Sequence, residues 1–231
     1  MSGRVRSLAM DADLLLLALE DFLPVVLSGT ALFVLARVCG RLDPPAGRYV
    51  ATALVLLVVG GLTKPIYKTL LALSDGTVDL VVLDDLLFWF LAPGFILLTA
   101  GLRSALRVGR GASPKIERGW PAAAGGVILA AAVFLTIGSD AWFVVLLAAA
   151  TLANVAAVVV LVRWASGYRD VFTAALFASS LVIVFGLAWA AASLEQTIAI
   201  QWGEQLFSTA SQGLFLWGSL RLSGLVVPCC G

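Results

Sequence analysis

Two lysines four residues apart, Lys64 and Lys68, stand in the run Gly-Gly-Leu-Thr-Lys-Pro-Ile-Tyr-Lys, inside an otherwise apolar segment. That spacing puts both ammonium groups on one face of a helix. Pro65 between them cannot donate a backbone hydrogen bond, so a carbonyl near Gly61 is left open to another ligand. Acids stand at comparable depth in three other apolar segments. Glu20 and Asp21 open the first, Asp84 and Asp85 open the third, and Glu204 lies between Gln201 and Gln205 in the last. Tyr67, Trp89 and Trp202 are close to them along the chain. A charge within a lipid-spanning helix costs about 2.5–3.5 kcal/mol on insertion scales, so such residues mark candidate sites and should pair with one another. The chemistry this set can perform is the binding of an ion or small polar ligand in a charged pocket near the outer surface. The expectation is that Lys64 lies inside a bundle, not facing lipid, within ion-pair reach of Asp85, Glu204 or another acid. A plainer alternative makes Lys68, Glu20, Asp21 and Asp84 surface markers, with Lys68 snorkelling to water. Trp120 and Trp142 fit an interfacial aromatic belt.

Other chemistries are excluded or unsupported. The chain has no histidine, which removes the usual general base, the commonest metal ligand and every Ser–His or Cys–His nucleophile. Three cysteines, Cys39, Cys229 and Cys230, form neither a disulfide framework nor a zinc pattern, although the terminal pair could accept an acyl chain. No catalytic residue, metal site or cofactor is expected. A net charge of +1 offers no basic face to nucleic acid. Asn154 and Gln212 fall mid-segment and are expected to hydrogen-bond between helices. Gly-Gly at 60–61 and 125–126 falls within helices, where it should serve close packing.

The elements that position these residues follow from composition. Of 231 residues, 61% are apolar and 13% charged. A soluble domain carries about 25% charged residues, so the solvent for this surface is lipid. Seven runs approach the roughly 20 apolar residues that a bilayer core requires. They are 22–38, 50–73, 83–102, 122–137, 142–162, 171–192 and 198–220, the fourth being the shortest. Arg-Leu-Asp-Pro-Pro at 41–45 ends the first, and Gly-Ser-Asp at 138–140 divides the fourth from the fifth. Arg4 and Arg6 precede an apolar run as in a signal peptide, but Asp11, Asp13, Glu20 and Asp21 interrupt it, and the first helix is read as retained. Arginines and lysines collect after runs one, three, five and seven, and none stands in the loops after two, four and six. The positive-inside rule then predicts an outside N-terminus and a cytoplasmic C-terminus in the plasma or inner membrane. The basic loop from Arg103 to Arg118 is a candidate contact for anionic lipid head groups.

The predicted fold class is thus all-α, a single seven-helix transmembrane domain over 1–231, and a homo-oligomer is open to it. An internal repeat is also legible. Asp85 through Leu97 aligns without gaps on Glu204 through Leu216, pairing Gly94 with Gly213. Val34-Leu-Ala-Arg37 through Asp43 resembles Val160-Leu-Val-Arg163 through Asp170. The chain then reads as a three-helix half at 22–102, a linker helix at 122–137 and a second half at 142–220, with a site between the halves. This three-plus-one-plus-three layout resembles the SWEET sugar transporters and the microbial rhodopsins. The prolines Pro24, Pro65 and Pro93 of the first half have no counterparts in helices four to seven, unlike the proline of each SWEET repeat. Helix seven lacks the lysine that the rhodopsin likeness would require, which excludes a retinal Schiff base there. Lys64-Pro65 followed by an acidic third helix also resembles lysoplasmalogenase-type membrane hydrolases. The expected function is transport of a small solute, ion or proton. A ligand-binding, receptor-like protein stands second, and a lipid-acting enzyme third.

Overall fold

The computed structural model describes residues 16, 19–73, 81–112, 119–195 and 197–226, and every regular element among them is a helix. Seven helices follow in order: α1 Phe22–Leu42, α2 Pro44–Leu73, α3 Val81–Gly109, α4 Gly119–Thr136, α5 Ala141–Gly167, α6 Val171–Ser193 and α7 Ile198–Val226. The first six are long and apolar enough to cross a membrane. The seventh has ample length at 29 residues but is more polar, with Gln201, Glu204 and Gln205 in its first third. This is the architecture of an integral membrane protein.

Several helices outrun the apolar stretches that announce them. α3 continues seven residues past Leu102, through Arg103 and Arg107, and α7 runs six past Leu220. Apolarity marks the part of a helix that meets lipid, whereas the backbone ladder continues wherever propensity allows. The largest difference is at α2. Only Asp43, in extended conformation, separates α1 from α2, and Pro44 opens the next helix at once. Proline is well suited to a first helical position, where its missing N–H would be unpaired in any case. The turns after α3 and α4 use Gly111 and Gly138, both at positive φ (+80° and +71°), where glycine carries no steric penalty.

Six helices close into a ring. α1 packs on α2, α2 on α3, α3 on α5, α5 on α6, α6 on α7, and α7 returns to α1. α4 stands outside, against α3 and α5, and buries only Ala124 and Ala131. Hydrogen bonds show which helix ends share a level. At one end Ser104 of α3 donates to Asp43 (2.6 Å), Arg110 donates to the Arg163 carbonyl of α5 (3.3 Å), and Arg221 of α7 pairs with Asp170 before α6 (3.1 Å). This is the arginine-rich end. The main core lies toward it, built on Leu35, Leu102, Leu161, Trp164, Phe177 and Leu222, each no more than 2% exposed.

The first three helices approach one another through glycine. A Cβ on Gly47 would stand 2.5 Å from the Gly40 Cα, so α1 and α2 meet backbone to backbone. On Gly101 it would lie 2.6 Å from Val50 Cγ2 and 2.8 Å from the Ala46 carbonyl, and on Gly60 2.8 Å from Phe90 Cβ. Gly60 and Gly61 therefore serve the close packing expected of them. Gly125 and Gly126 do not: nothing lies within 4 Å of a Cβ at either, because α4 turns that face outward.

Candidate functional site

Inside the ring, toward the end opposite the arginines, is a cavity of about 400 Å³. That lies within the range of small-molecule sites, about 300–1,000 Å³. All six ring helices line it. α2 and α3 offer only Leu57, Gly61, Leu91, Phe95 and Leu98. The polar lining comes from the others: Ser28 of α1, Asn154 of α5, Ser180 of α6, and Ser208 and Gln212 of α7. Leu32, Leu98 and Val158 belong both to the lining and to the main core, so the cavity rests on that core. Packed apolar side chains thereby close it toward the arginine-rich end.

Asn154 and Gln212 do not make the interhelical bonds expected of them. No hydrogen bond joins either amide to another described residue. The residues beside them take that role. Thr99 of α3 donates to the Ala153 carbonyl (2.8 Å), and Ser211 of α7 donates to the Ser180 carbonyl (3.0 Å). These neighbours tie α3 to α5 and α6 to α7, and the longer amides are left to the cavity.

At the end of the cavity away from the arginines the structure brings together three of the predicted charges. Lys68 of α2 pairs with Asp21 before α1 at 2.6 Å, the aspartate being 8% exposed. Thr209 of α7 donates to Glu20 Oε1 at 2.5 Å, while Glu20 Oε2 is buried without a hydrogen-bond partner. Glu20 and Asp21 stand one turn before the lining residues Pro24 and Val25, and Lys68 two turns beyond Gly61. These side chains therefore fasten α1 to α2 and to α7 above the cavity.

The deeper charged network does not form. Lys64 is exposed, as is Asp85, and no ion pair or hydrogen bond joins Lys64 to another described residue. The reason is the early start of α2. Lys64 lies twenty residues beyond Pro44, about 30 Å at 1.5 Å per residue, which is the thickness of a bilayer core. The ammonium group sits high enough on the helix to need no buried acid. Glu204 lies half-buried in an outer groove between α6 and α7, beside Gly203 and Phe207, and not in the central cavity. Gln201, Trp202 and Gln205 are half-buried on the same stretch of α7, and Tyr67 is half-buried on α2. Trp89 stacks on Trp142 across α3 and α5, ring centroids 5.9 Å apart. Asp84 lies on α3 with its side chain outside what is described, and Lys115, Arg118, Cys229 and Cys230 fall outside the described residues altogether. The remaining arginines of the basic loop are engaged: Arg103 lies over the Trp120 ring at 5.5 Å, and Arg110 bonds α5.

Of the positions that the alignment pairs, one pair packs alike and another does not. Asp43 and Asp170 each accept a hydrogen bond from the third helix of their own half, through Ser104 and Arg221. Gly94 and Gly213 differ. A Cβ on Gly94 would meet Leu57 at 2.8 Å, whereas nothing lies within 4 Å of one on Gly213. Among the described residues no group of histidine, cysteine, aspartate or glutamate could hold a metal ion. No protein-family model, curated protein or solved structure matches the chain.

Proposed function

We propose that the chain is a seven-span transport protein, its N-terminus outside and its C-terminus in the cytoplasm, and that a small solute passes through the six-helix ring. The observation that carries this reading is the cavity itself. It is bounded by every ring helix, with a polar fastening on one side and a sealed apolar core on the other. A site midway between two closures is what alternating access requires. In this reading the Lys68–Asp21 and Thr209–Glu20 contacts belong to the outer closure, and Leu35, Leu102, Leu161 and Leu222 to the inner one.

The arginine distribution supports the orientation. A reporter fused after Arg221 is expected to be active only in the cytoplasm, and one inserted at Ser139 only outside. The function is tested in proteoliposomes loaded with labelled small solutes and a pH-sensitive dye. Solute or proton flux above that of protein-free vesicles, lost when Ser208→Leu fills the cavity, is the expected result. No flux from a correctly inserted protein would overturn transport. The closed inner end equally favours a second reading, a receptor-like protein that binds at the same cavity without passage.

A further inference from the structure

We propose that the cavity takes an uncharged, amphiphilic molecule, whose polar edge meets the Asn154 and Gln212 amides and whose apolar face lies on the wall built by α2 and α3. This names the ligand class for the cavity just described and rests on the reading of that cavity as a binding site.

The cavity has two unlike sides. Asn154, Gln212, Ser28 and Ser208 present amides and hydroxyls from α5, α7 and α1, while Leu57 and Phe95 represent a wall with no polar side chain. An amide carries two N–H donors and an acceptor oxygen with two lone pairs. Neither Asn154 nor Gln212 satisfies any of these on another described residue. Polar groups beneath a membrane surface that lack protein partners create demand for a ligand that both donates and accepts. A small neutral head such as an amide or a diol does both.

No charged side chain lines the cavity. A charged ligand would give up hydration and find no opposite charge inside, a loss that dipoles alone repay poorly. The nearest ionic groups are above it, where Lys68 and Asp21 already neutralise each other and Glu20 is held by Thr209. Glu20 pairs with no cation among the described residues, so a cation is the strongest competitor and belongs in the test. The apolar wall selects in its own right. Burial of hydrocarbon there returns about 25 cal/mol per Å², which a fully polar solute forfeits.

The experiment uses three congeners with one hydrocarbon tail: hexanamide, hexanoate and hexylammonium. Thermal unfolding of the full chain in nanodiscs is followed with each, at concentrations that leave lipid-only discs unchanged. A ligand that binds the native state raises the midpoint. Hexanamide is expected to raise it and the two ions to leave it in place. Asn154→Leu/Gln212→Leu should lose the hexanamide shift, and Ser208→Leu, which fills the cavity and spares both amides, should lose it too. An equal shift from either ion, no shift from hexanamide, or a shift that survives in both variants would overturn the proposal. Flux in vesicles separates this from the transport reading. A hexanamide shift without solute flux removes transport alone, and flux with preference for an ion removes only the ligand class.

Discussion

The two halves of the ring are built to different tolerances. In α1–α3 the helices meet at glycine, with Gly47 against Gly40, Gly60 against Phe90, Gly94 against Leu57 and Gly101 against Val50, every approach closer than a methyl group permits. In α6 and α7, Gly186, Gly203, Gly213 and Gly224 face open space, and Gly218 alone meets a neighbour, the Phe177 ring at 3.0 Å. The polar side chains of the cavity are divided the other way, with four of the five named above on α5–α7. Lipid provides no hydrophobic drive between helices, so close contact must come from dispersion and from backbones that small residues allow to approach. The first half has this and forms a stiff apolar wall. The second is joined more by side-chain hydrogen bonds such as Ser180–Ser211, and it carries the groups that can address a ligand.

The largest effect is expected where backbone meets backbone. Gly47→Ala should lower stability by about 3 kcal/mol, the upper part of the overpacking range, because no side chain can rotate away from the clash with Gly40. Unfolding in micelles measures it, and a neutral result would show that the α1–α2 junction is slack. Next comes the fastening between α1 and α2. Lys68→Met leaves the 8%-exposed Asp21 without its cation. The expected loss is about 2 kcal/mol, below the 3–5 of a fully buried pair because the lysine is 30% exposed. Adding Asp21→Asn should restore part of it.

Gly94→Ala against Gly213→Ala puts the comparison itself to the test. The first should cost about 1–2 kcal/mol, since Leu57 can yield in part. The second should be neutral or stabilising by up to about 1 kcal/mol through helix propensity. Equal losses would mean that the two glycines are equivalent and would support the gap-free repeat. The smallest effect concerns Asp170. The Thr173 backbone N–H, then the Thr173 hydroxyl and Arg221, hold its carboxyl below the usual range, from 3.8 to about 2. A carboxylate depressed in the folded state adds stability above its unfolded value and loses it as pH falls. That contribution should be whole above about pH 4 and vanish toward 2. Asp170→Asn should flatten that acid limb in a stability–pH titration by lowering stability above about pH 4 toward the value the unsubstituted chain reaches in acid, a small loss because Arg221 is exposed.

How much was legible is clearest from particular residues. The seven helices were, because lipid admits only segments that satisfy their own backbone and these announce themselves by apolar length. The start of α2 was missed by six residues, since Arg48 and two prolines read as loop when they open a helix. That miss carried Lys64 too deep and with it the expected network. Lys68, Asp21 and Glu20 were named as candidates and do assemble, although the pairing of Lys68 with Asp21 had no local signal across 47 positions.

Composition alone determined that this chain is a helical protein for lipid, because 13% charged residues cannot cover a water-facing surface. Local sequence determined where its helices lie, and the absence of histidine narrowed the chemistry. Only the tertiary structure decided that α4 stands outside the ring, that Glu204 faces a groove and not the centre, and that Asn154 and Gln212 look into a shared cavity. Those facts depend on how far each helix is rotated about its axis. A helix that is apolar on all sides leaves rotation to its neighbours' packing, for which the one-dimensional pattern holds no face to read.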